Sequence, residues 1–405
     1  MLNVVILNGG RGASTIIPSL LERQRLHVTS VVNAYDDGKS TGVIRRFFGM
    51  LGPSDIRKVQ KLMLPKNDPD HDNYLTLFQY RFPLDCNHED VLKQLKLFLD
   101  NESMELVGVH LNNKREREKL KSFLAEFLAG LNTIEKARQE EFDFADCSIM
   151  NCLYAGAFLA SNRNIEQATI SIDRLFQLCG KVLPTSIEDK KLVAQRENGE
   201  ILYSEAEIVE LRSNVRVERI YLLDQSLDKV TFEMLDNDEK RSYLERHHCY
   251  VGASPGVRRA LQQADIIIYS AGTQHSSLYP TYMSTGLAES ISDNHPALKV
   301  FITNIGADYE TPSYKASDYI LGAHRYLNLS DERNYSMEEL FDVIFINQSH
   351  FKDDETYVEY DEEGFHDISI QTLIDVFESE DNPGKHDGTK VVKTILDLYE
   401  DKHFY

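Results

Sequence analysis

Leu2-Asn3-Val4-Val5-Ile6-Leu7-Asn8-Gly9-Gly10-Arg11-Gly12-Ala13-Ser14-Thr15 reads as a buried strand running into a glycine turn. Residues 2–7 are apolar almost without interruption, the pattern of a strand covered on both faces of a parallel sheet. The turn feeds an amphipathic stretch, Ala13–Arg25, and Val28-Thr29-Ser30-Val31-Val32 supplies a second β-rich run. Strand, glycine turn, helix and strand make a βαβ unit, whose ligand crevice lies at the carboxyl ends of its strands. Gly9, Gly10 and Gly12 let backbone N–H groups approach an anion there, Arg11 adds a bidentate donor, and Ser14 adds a hydroxyl. Gly10 to Thr15 is one glycine short of the dinucleotide fingerprint, so the turn serves either as a phosphate cradle or as a structural βα connection.

The second strand ends in Asp36-Asp37-Gly38-Lys39-Ser40-Thr41-Gly42, beside the first turn. Adjacent carboxylates suit a magnesium ion or ribose hydroxyls, with Lys39 and Ser40 toward a phosphate; alternatively Asp36 or Asp37 caps the next helix. Gly52-Pro53-Ser54-Asp55-Ile56-Arg57 follows, where Ser54 or Asp55 caps a helix that presents Arg57 to the same crevice. Arg45 and Arg46, adjacent on a helix, are expected at the surface. Far along the chain, Ala264–Ser270 is another buried strand, and Gly272, Thr273 and Ser276 follow it with donors for a phosphate or sugar. Ser276 beside His275 lacks the G-x-S-x-G elbow of a serine hydrolase.

Between these blocks, residues 86–162 read as a helical insertion, with helices over His88–Asp100, Lys114–Gln139 and Phe142–Leu159. A strand at Lys181–Leu183 and a hairpin across Asn198-Gly199, to which Val217–Leu223 pairs, come next. Pro280–Ile291 reads as a helix and Leu298–Thr303 as a strand. The expected fold is therefore a doubly wound, mostly parallel, Rossmann-like α/β core over 1–349, followed by an acidic C-terminal extension over 350–405. That last segment carries sixteen acidic and five basic residues, and Ile368–Phe377 and Thr389–Tyr399 within it have helical amphipathicity.

Composition narrows the function. The 405 residues include 44 Lys+Arg and 65 Asp+Glu, a net charge of −21, which repels phosphate backbones and argues against nucleic acid or anionic membrane as partner. Any bound phosphate must sit in a local basic pocket. Five cysteines without a Cys-x-x-Cys pair, and thirteen histidines without ligand spacing, point to reduced thiols in a cytoplasmic protein and to no zinc site. Neither haem nor flavin is expected. The first residues lack a basic segment and a cleavage site, and are expected to be a strand rather than a signal peptide.

Taken together the motifs resemble the superfamily containing 2-phospho-L-lactate transferase and the gluconeogenesis factor, the latter also described as a nucleotide-sugar-binding regulator of bacterial cell shape. The resemblance runs in order through Asn8–Gly12, Asp36–Gly42, Gly52–Arg57, Leu77–Phe82, Asn151, Gly180–Thr185, Ala264–Ile267 with its Gly272 loop, and Thr303-Asn304. It covers roughly residues 2 to 330 and is nearer the gluconeogenesis-factor branch. The departures lie in the ligand loops: Arg11 stands where the family usually has Thr, Lys39 where it has Gly, and Ser270-Ala271-Gly272-Thr273 where it has Gly-Pro-Gly-Ser. The resemblance implies a magnesium-dependent transfer of a phosphorus-containing group from a nucleotide-activated donor to an alcohol. Asp37 and Asp55 would then bind metal or accept the proton, Arg57 would stabilise the leaving nucleotide, and Asn151 and Asn304 would join the binding residues. The alternative it implies is a regulator that binds a nucleotide or nucleotide sugar without consuming it. A homodimer is expected from the relatives alone, and a nicotinamide dehydrogenase is the weaker alternative on the first βαβ unit.

Overall fold

In the computed structural model, which describes residues 1–9, 12–100, 103–110, 112–348 and 356–404, seven strands form one wholly parallel sheet. In chain order they are β1 (Leu2–Asn8), β2 (Leu26–Val32), β3 (Lys181–Pro184), β4 (Ile266–Tyr269), β5 (Leu298–Ile302), β6 (Val343–Asn347) and β7 (Gln371–Asp375). Their spatial order is β7-β6-β5-β4-β1-β2-β3, with helices on both sides. Val4, Ile6 and Leu7 of β1 and Ile266, Ile267 and Ile268 of β4 have no exposed surface. This is the reason their sequences do not alternate: both faces are covered. Each such side chain contributes roughly 1.5–3 kcal/mol on burial.

The order reverses between β1 and β4, which pair directly from Val4↔Ile266 to Leu7↔Tyr269. A crevice opens at the carboxyl end of a parallel sheet at such a reversal, because neighbouring loops there turn to opposite faces. The expected hairpin is present as Lys191–Arg196 with Ile201–Leu202, turning at Gly199 with φ +87°, and Val217–Leu223 joins it as a third antiparallel strand. Helices occupy His88–Leu99, Lys114–Arg138 and Ile149–Ala160 in the inserted region.

Several expected elements differ. The helix after the glycine turn is short, α1 (Ile16–Leu21), and the stretch 280–291 is two helices, Tyr279–Tyr282 and Leu287–Ser292, separated by a turn with Gly286 at φ +79°. The larger correction concerns the acidic C-terminal segment, which is not an appendage. Residues 371–375, expected to be helical, form edge strand β7, registered on β6 from Val343↔Gln371 to Asn347↔Asp375. The final helix, Gly388–Phe404, buries Val391, Val392 and Ile395. A Cβ on Gly388 would lie 2.0 Å from the Thr15 carbonyl oxygen, so this helix begins in direct contact with the turn before α1. Acidic residues occupy the outer faces while the inner faces complete the core, and a count of charge along the chain does not separate the two. A chain ending at residue 349 is therefore expected to lose its cooperative calorimetric transition, or at least about 5 °C of Tm. Removal of a mere tail would leave the transition where it is.

Candidate functional site

The loops after β1, β2, β4 and β5 enclose a crevice of about 970 Å³ at the reversal point. Their packing is close enough to dictate residue types. A Cβ on Gly12 would lie 1.9 Å from the Ala271 carbonyl oxygen, and one on Gly52 would lie 2.3 Å from the Asp36 carbonyl oxygen. Asn304, after β5, holds Gly272 from both sides: its Oδ1 accepts from the Gly272 N–H at 2.9 Å and its Nδ2 donates to the Gly272 carbonyl at 3.0 Å. Asn33, after β2, donates to the Ser276 carbonyl at 2.8 Å and accepts from the Tyr35 N–H at 3.0 Å.

Arg45 is a second brace and corrects a sequence expectation. It is 2% exposed and sits on the helix α2 (Lys39–Phe48). Its guanidinium donates to the Tyr35 carbonyl at 2.5 Å, the Asp36 carbonyl at 3.2 Å, Asp189 at 2.6 Å and the Lys190 carbonyl at 2.8 Å. The acidic loop is thereby fastened from beneath. Arg46 does lie at the surface, paired with Glu140 at 3.0 Å. Two adjacent helical residues face different ways, and sequence alone did not tell which of them turned inward.

The carboxylates are divided between structure and crevice. Asp36 accepts from the Gly38 N–H at 3.0 Å. Asp37 accepts from the Ala206 N–H at 3.0 Å, and its own N–H reaches Glu205 at 3.4 Å. Burial raises the Asp37 pKa. Asp55, in the first turn of α3 (Ser54–Leu62), pairs with Lys58 at 2.6 Å. Glu205 was not anticipated, because it is far from the motif loops in sequence. Burial, then the charges of Asp36, Asp55 and Asp37, push its pKa up to about 9. On the β4 side Ser276 donates from N and Oγ, at 2.9 and 2.5 Å, to fully buried Glu310. Burial and the nearby Asp308 raise Glu310 to about 8. His275 points away, edge-on to Tyr279, and burial lowers its pKa to about 3.

Of the residues singled out from sequence, Gly9, Gly12, Ser14, Asp36, Lys39, Ser40, Asp55, Gly272, Thr273, Ser276 and Asn304 line this one crevice. Asp37 stands behind the wall, spent on the helix at Ala206. Arg57 and Asn151 are buried behind the lining, and Gly10 and Arg11 lie outside the described residues. Lys58, Arg81 and Lys385 add cations to the lining, the last from the C-terminal segment. Lys39 is exposed with φ +45°, a left-handed conformation that favours glycine, which accounts for the glycine that the resemblance puts there. Among the described residues no three His, Cys, Asp or Glu side chains converge in a metal-holding geometry. The expected metal pair, Asp37 and Asp55, is corrected accordingly: only Asp55 faces the crevice, with Asp36 as its acidic neighbour in the lining. Asp36 and Asp55 are carboxylates of the kind that magnesium takes, one or two at a time, together with ligand phosphates, and both stand in the lining.

The comparisons agree with this architecture. The family model described as 2-phospho-L-lactate transferase CofD matches residues 4–380. The chain belongs to that family. The gluconeogenesis factor of Listeria monocytogenes is 24% identical over 401 residues, spanning 97% of this chain and 94% of that protein. The gluconeogenesis factor of Bacillus subtilis is 22% identical over 402 residues, 98% of each. A crystal structure of a UPF0052 family member from Bacillus halodurans superposes with a TM-score of 0.67 at 20% identity, covering 98% of this chain and all of that one. CofD-family membership thus extends over β1 to β7, and most of the segment beyond residue 350 lies inside the match. All five cysteines are free, and among the described residues no helix is long and apolar enough to cross a membrane.

Two predictions follow from the loop packing and from Glu310. Gly12→Ala must displace the Ala271 carbonyl and is expected to destabilise the fold by roughly 1–3 kcal/mol in denaturant unfolding. Glu310 keeps its proton in the folded chain up to about pH 8 but would lose it near 4.5 when unfolded. Its contribution to stability is therefore complete below pH 4.5 and is lost as pH rises toward 8. In Glu310→Gln, the decline of Tm between pH 5 and 8 is expected to be shallower than in the parent chain.

Proposed function

We propose that the crevice binds a nucleotide-activated phosphate ligand and transfers a phosphorus-containing group from it to an alcohol acceptor, in the cytoplasm. The observation that carries this reading is the gathering of cations, Lys39, Lys58, Arg81 and Lys385, with glycine-loop N–H groups at one end of the sheet in a protein of net charge −21. The same lining carries Asp36, Asp55, Glu205, Glu210 and Asp308, so cations and carboxylates stand together there, a combination that suits a phosphate held with a divalent cation. Gly9, Gly12 and the loop Gly272–Ser276 hold the diphosphate, with Lys39 over it. Asp55, paired with Lys58 at 2.6 Å, accepts the proton of the acceptor hydroxyl. Arg81, in the lining, balances charge gathering on the leaving nucleotide. Asp36 and Asp55 would hold a magnesium ion, which when bound neutralises phosphate oxygens. Catalysis of this kind consists mainly of positioning and charge stabilisation.

A second reading has its own support. Relatives that match nearly full length are named gluconeogenesis factors, and Asp37, one of the two acids expected to do the chemistry, is engaged by the backbone at Ala206. On this reading the ligand is a nucleotide or nucleotide sugar that is bound and returned unchanged.

Thermal unfolding against nucleoside diphosphates and uridine sugars, with and without magnesium, followed by phosphorus NMR of the mixtures, separates the two. A transferase shows a magnesium-dependent shift and a new phosphorus resonance in the presence of alcohols, and Asp55→Asn lowers that turnover at least about 100-fold with an unchanged fold. Full turnover in Asp55→Asn would overturn the assignment of the base. A selective shift with no product in any mixture would favour the regulator.

A further inference from the structure

The helix α4 (Ile149–Ala160) starts inside the protein without a side-chain cap. Ser148 occupies its N-cap position, yet its Oγ has no hydrogen-bond partner. In the first turn, both amide atoms of Asn151 are likewise unpartnered, and Ser148 and Asn151 are 0% exposed. A buried polar atom without a partner is costly, and three of them here fall within one turn.

One turn further along, α3 comes within hydrogen-bonding distance of α4. Tyr154 of α4 donates its hydroxyl to Gln60 Oε1 of α3. One turn earlier on each helix stand Asn151 and Arg57, and Arg57 is within electrostatic reach of Cys147 and Tyr154, which bracket Asn151 along the chain. Arg57 is 6% exposed. Among the described residues its guanidinium has no hydrogen-bonded or ion-paired acceptor; Asp36 acts on it as a nearby charge. Arg81 bridges antiparallel to Ser148 and leads out to the crevice, but its own guanidinium is already engaged by Asp146 at 3.1 Å. The result is a buried guanidinium, an uncapped helix start with its positive dipole end, an unpaired amide and an unpaired hydroxyl, beside the strand bridge that carries Arg81 to the crevice. A neutral occupant would satisfy the amide and hydroxyl but leave the buried charge without a counter-charge.

We infer that Arg57, Asn151, Ser148 and the first turn of α4 form a hole for one small oxyanion, a carboxylate or single phosphoryl group carried by the acceptor, separate from the glycine-loop site for the nucleotide. The inference deepens the transfer reading and rests on it for the word acceptor: the alcohol that receives the group is itself anionic. The nucleotide and the acceptor then approach from opposite sides of Asp55, which lies two residues before Arg57 on α3.

The test uses the full chain, with inorganic phosphate and acetate as separate probes at matched ionic strength, and with GDP and UDP as nucleotide probes. Phosphate, acetate or both should stabilise the parent chain saturably, and their ratio tells a phosphoryl from a carboxylate preference. Asn151→Leu removes two unpaired polar atoms at nearly constant volume. It should raise Tm without ligand by about 2 °C or more, weaken the small-anion response at least tenfold, and leave the nucleotide response in place. A lower Tm with an intact anion response would make Asn151 a structural residue and sink the hole. So would an absence of any phosphate or acetate effect on the parent chain. Loss of the nucleotide response together with the anion response would assign these residues to the nucleotide's own phosphates and overturn the separate site. Arg57→Met, read by the same anion titration, carries the test if Asn151→Leu does not fold, and an unchanged anion affinity in it would equally refute the hole. If neither nucleotide stabilises the parent chain, the transfer reading fails, while the phosphate and acetate titrations still decide the oxyanion hole.

Discussion

The contact between Gly12 and the Ala271 carbonyl holds the functional end of this molecule together. β1 and β4 lie side by side where the strand order reverses, and their loops must leave toward opposite faces while still touching at the base. With 1.9 Å between a Cβ placed on Gly12 and the Ala271 oxygen, only glycine permits that approach. The neighbouring braces depend on the same closeness. Asn304 can grip Gly272 from both sides, and Asn33 can reach Ser276, because the loops are already drawn to one point.

A second constraint is electrostatic. A chain this acidic must fold around its carboxylates, and it does so by assigning them different tasks. Asp37 ends up bonded to the backbone at Ala206, while Asp55 is kept at the crevice by Lys58. Glu205 and Glu310 are buried deeply enough that their protons are retained into the neutral or mildly alkaline range. Without that neutralisation, Glu205 would add a further negative charge to Asp36, Asp37 and Asp55 around the β2 loop. Arg45 adds no charge to the crevice surface; it fixes the acidic loop through two carbonyls and is spent in doing so.

The C-terminal segment shows how composition misleads when burial is one-sided. Its acids belong to outer faces, and the residues that matter for the fold, Val391, Val392 and Ile395, are few and spaced along one helix. Edge strand β7 is similarly ambiguous: five half-buried or exposed residues satisfy a short helical pattern as well as a strand, and the partner that settles the matter is β6, fetched from outside the segment. The same segment also delivers Lys385 to the crevice, so the part of the chain that looked least connected with the ligand loops closes one side of them.

The sequence by itself determined the parallel α/β core, since unbroken apolar runs such as Val4–Leu7 and Ile266–Tyr269 are compatible only with strands covered on both faces. It also determined that these loops gather, because glycines, paired acids and hydroxyls placed directly after such strands fall at one end of the sheet. Eleven of the residues read in this way do share one crevice. The tertiary structure alone decided what each of them does there. Whether Asp37 or Asp36 faces the ligand, whether Arg45 or Arg46 turns inward, and whether Asn151 finds a partner depend on contacts between residues tens to hundreds of positions apart. Glu205 meets Asp37 and Glu310 meets Ser276 only after the sheet has formed. Local periodicity records which face of an element is apolar; it holds no record of which polar group arrives opposite it.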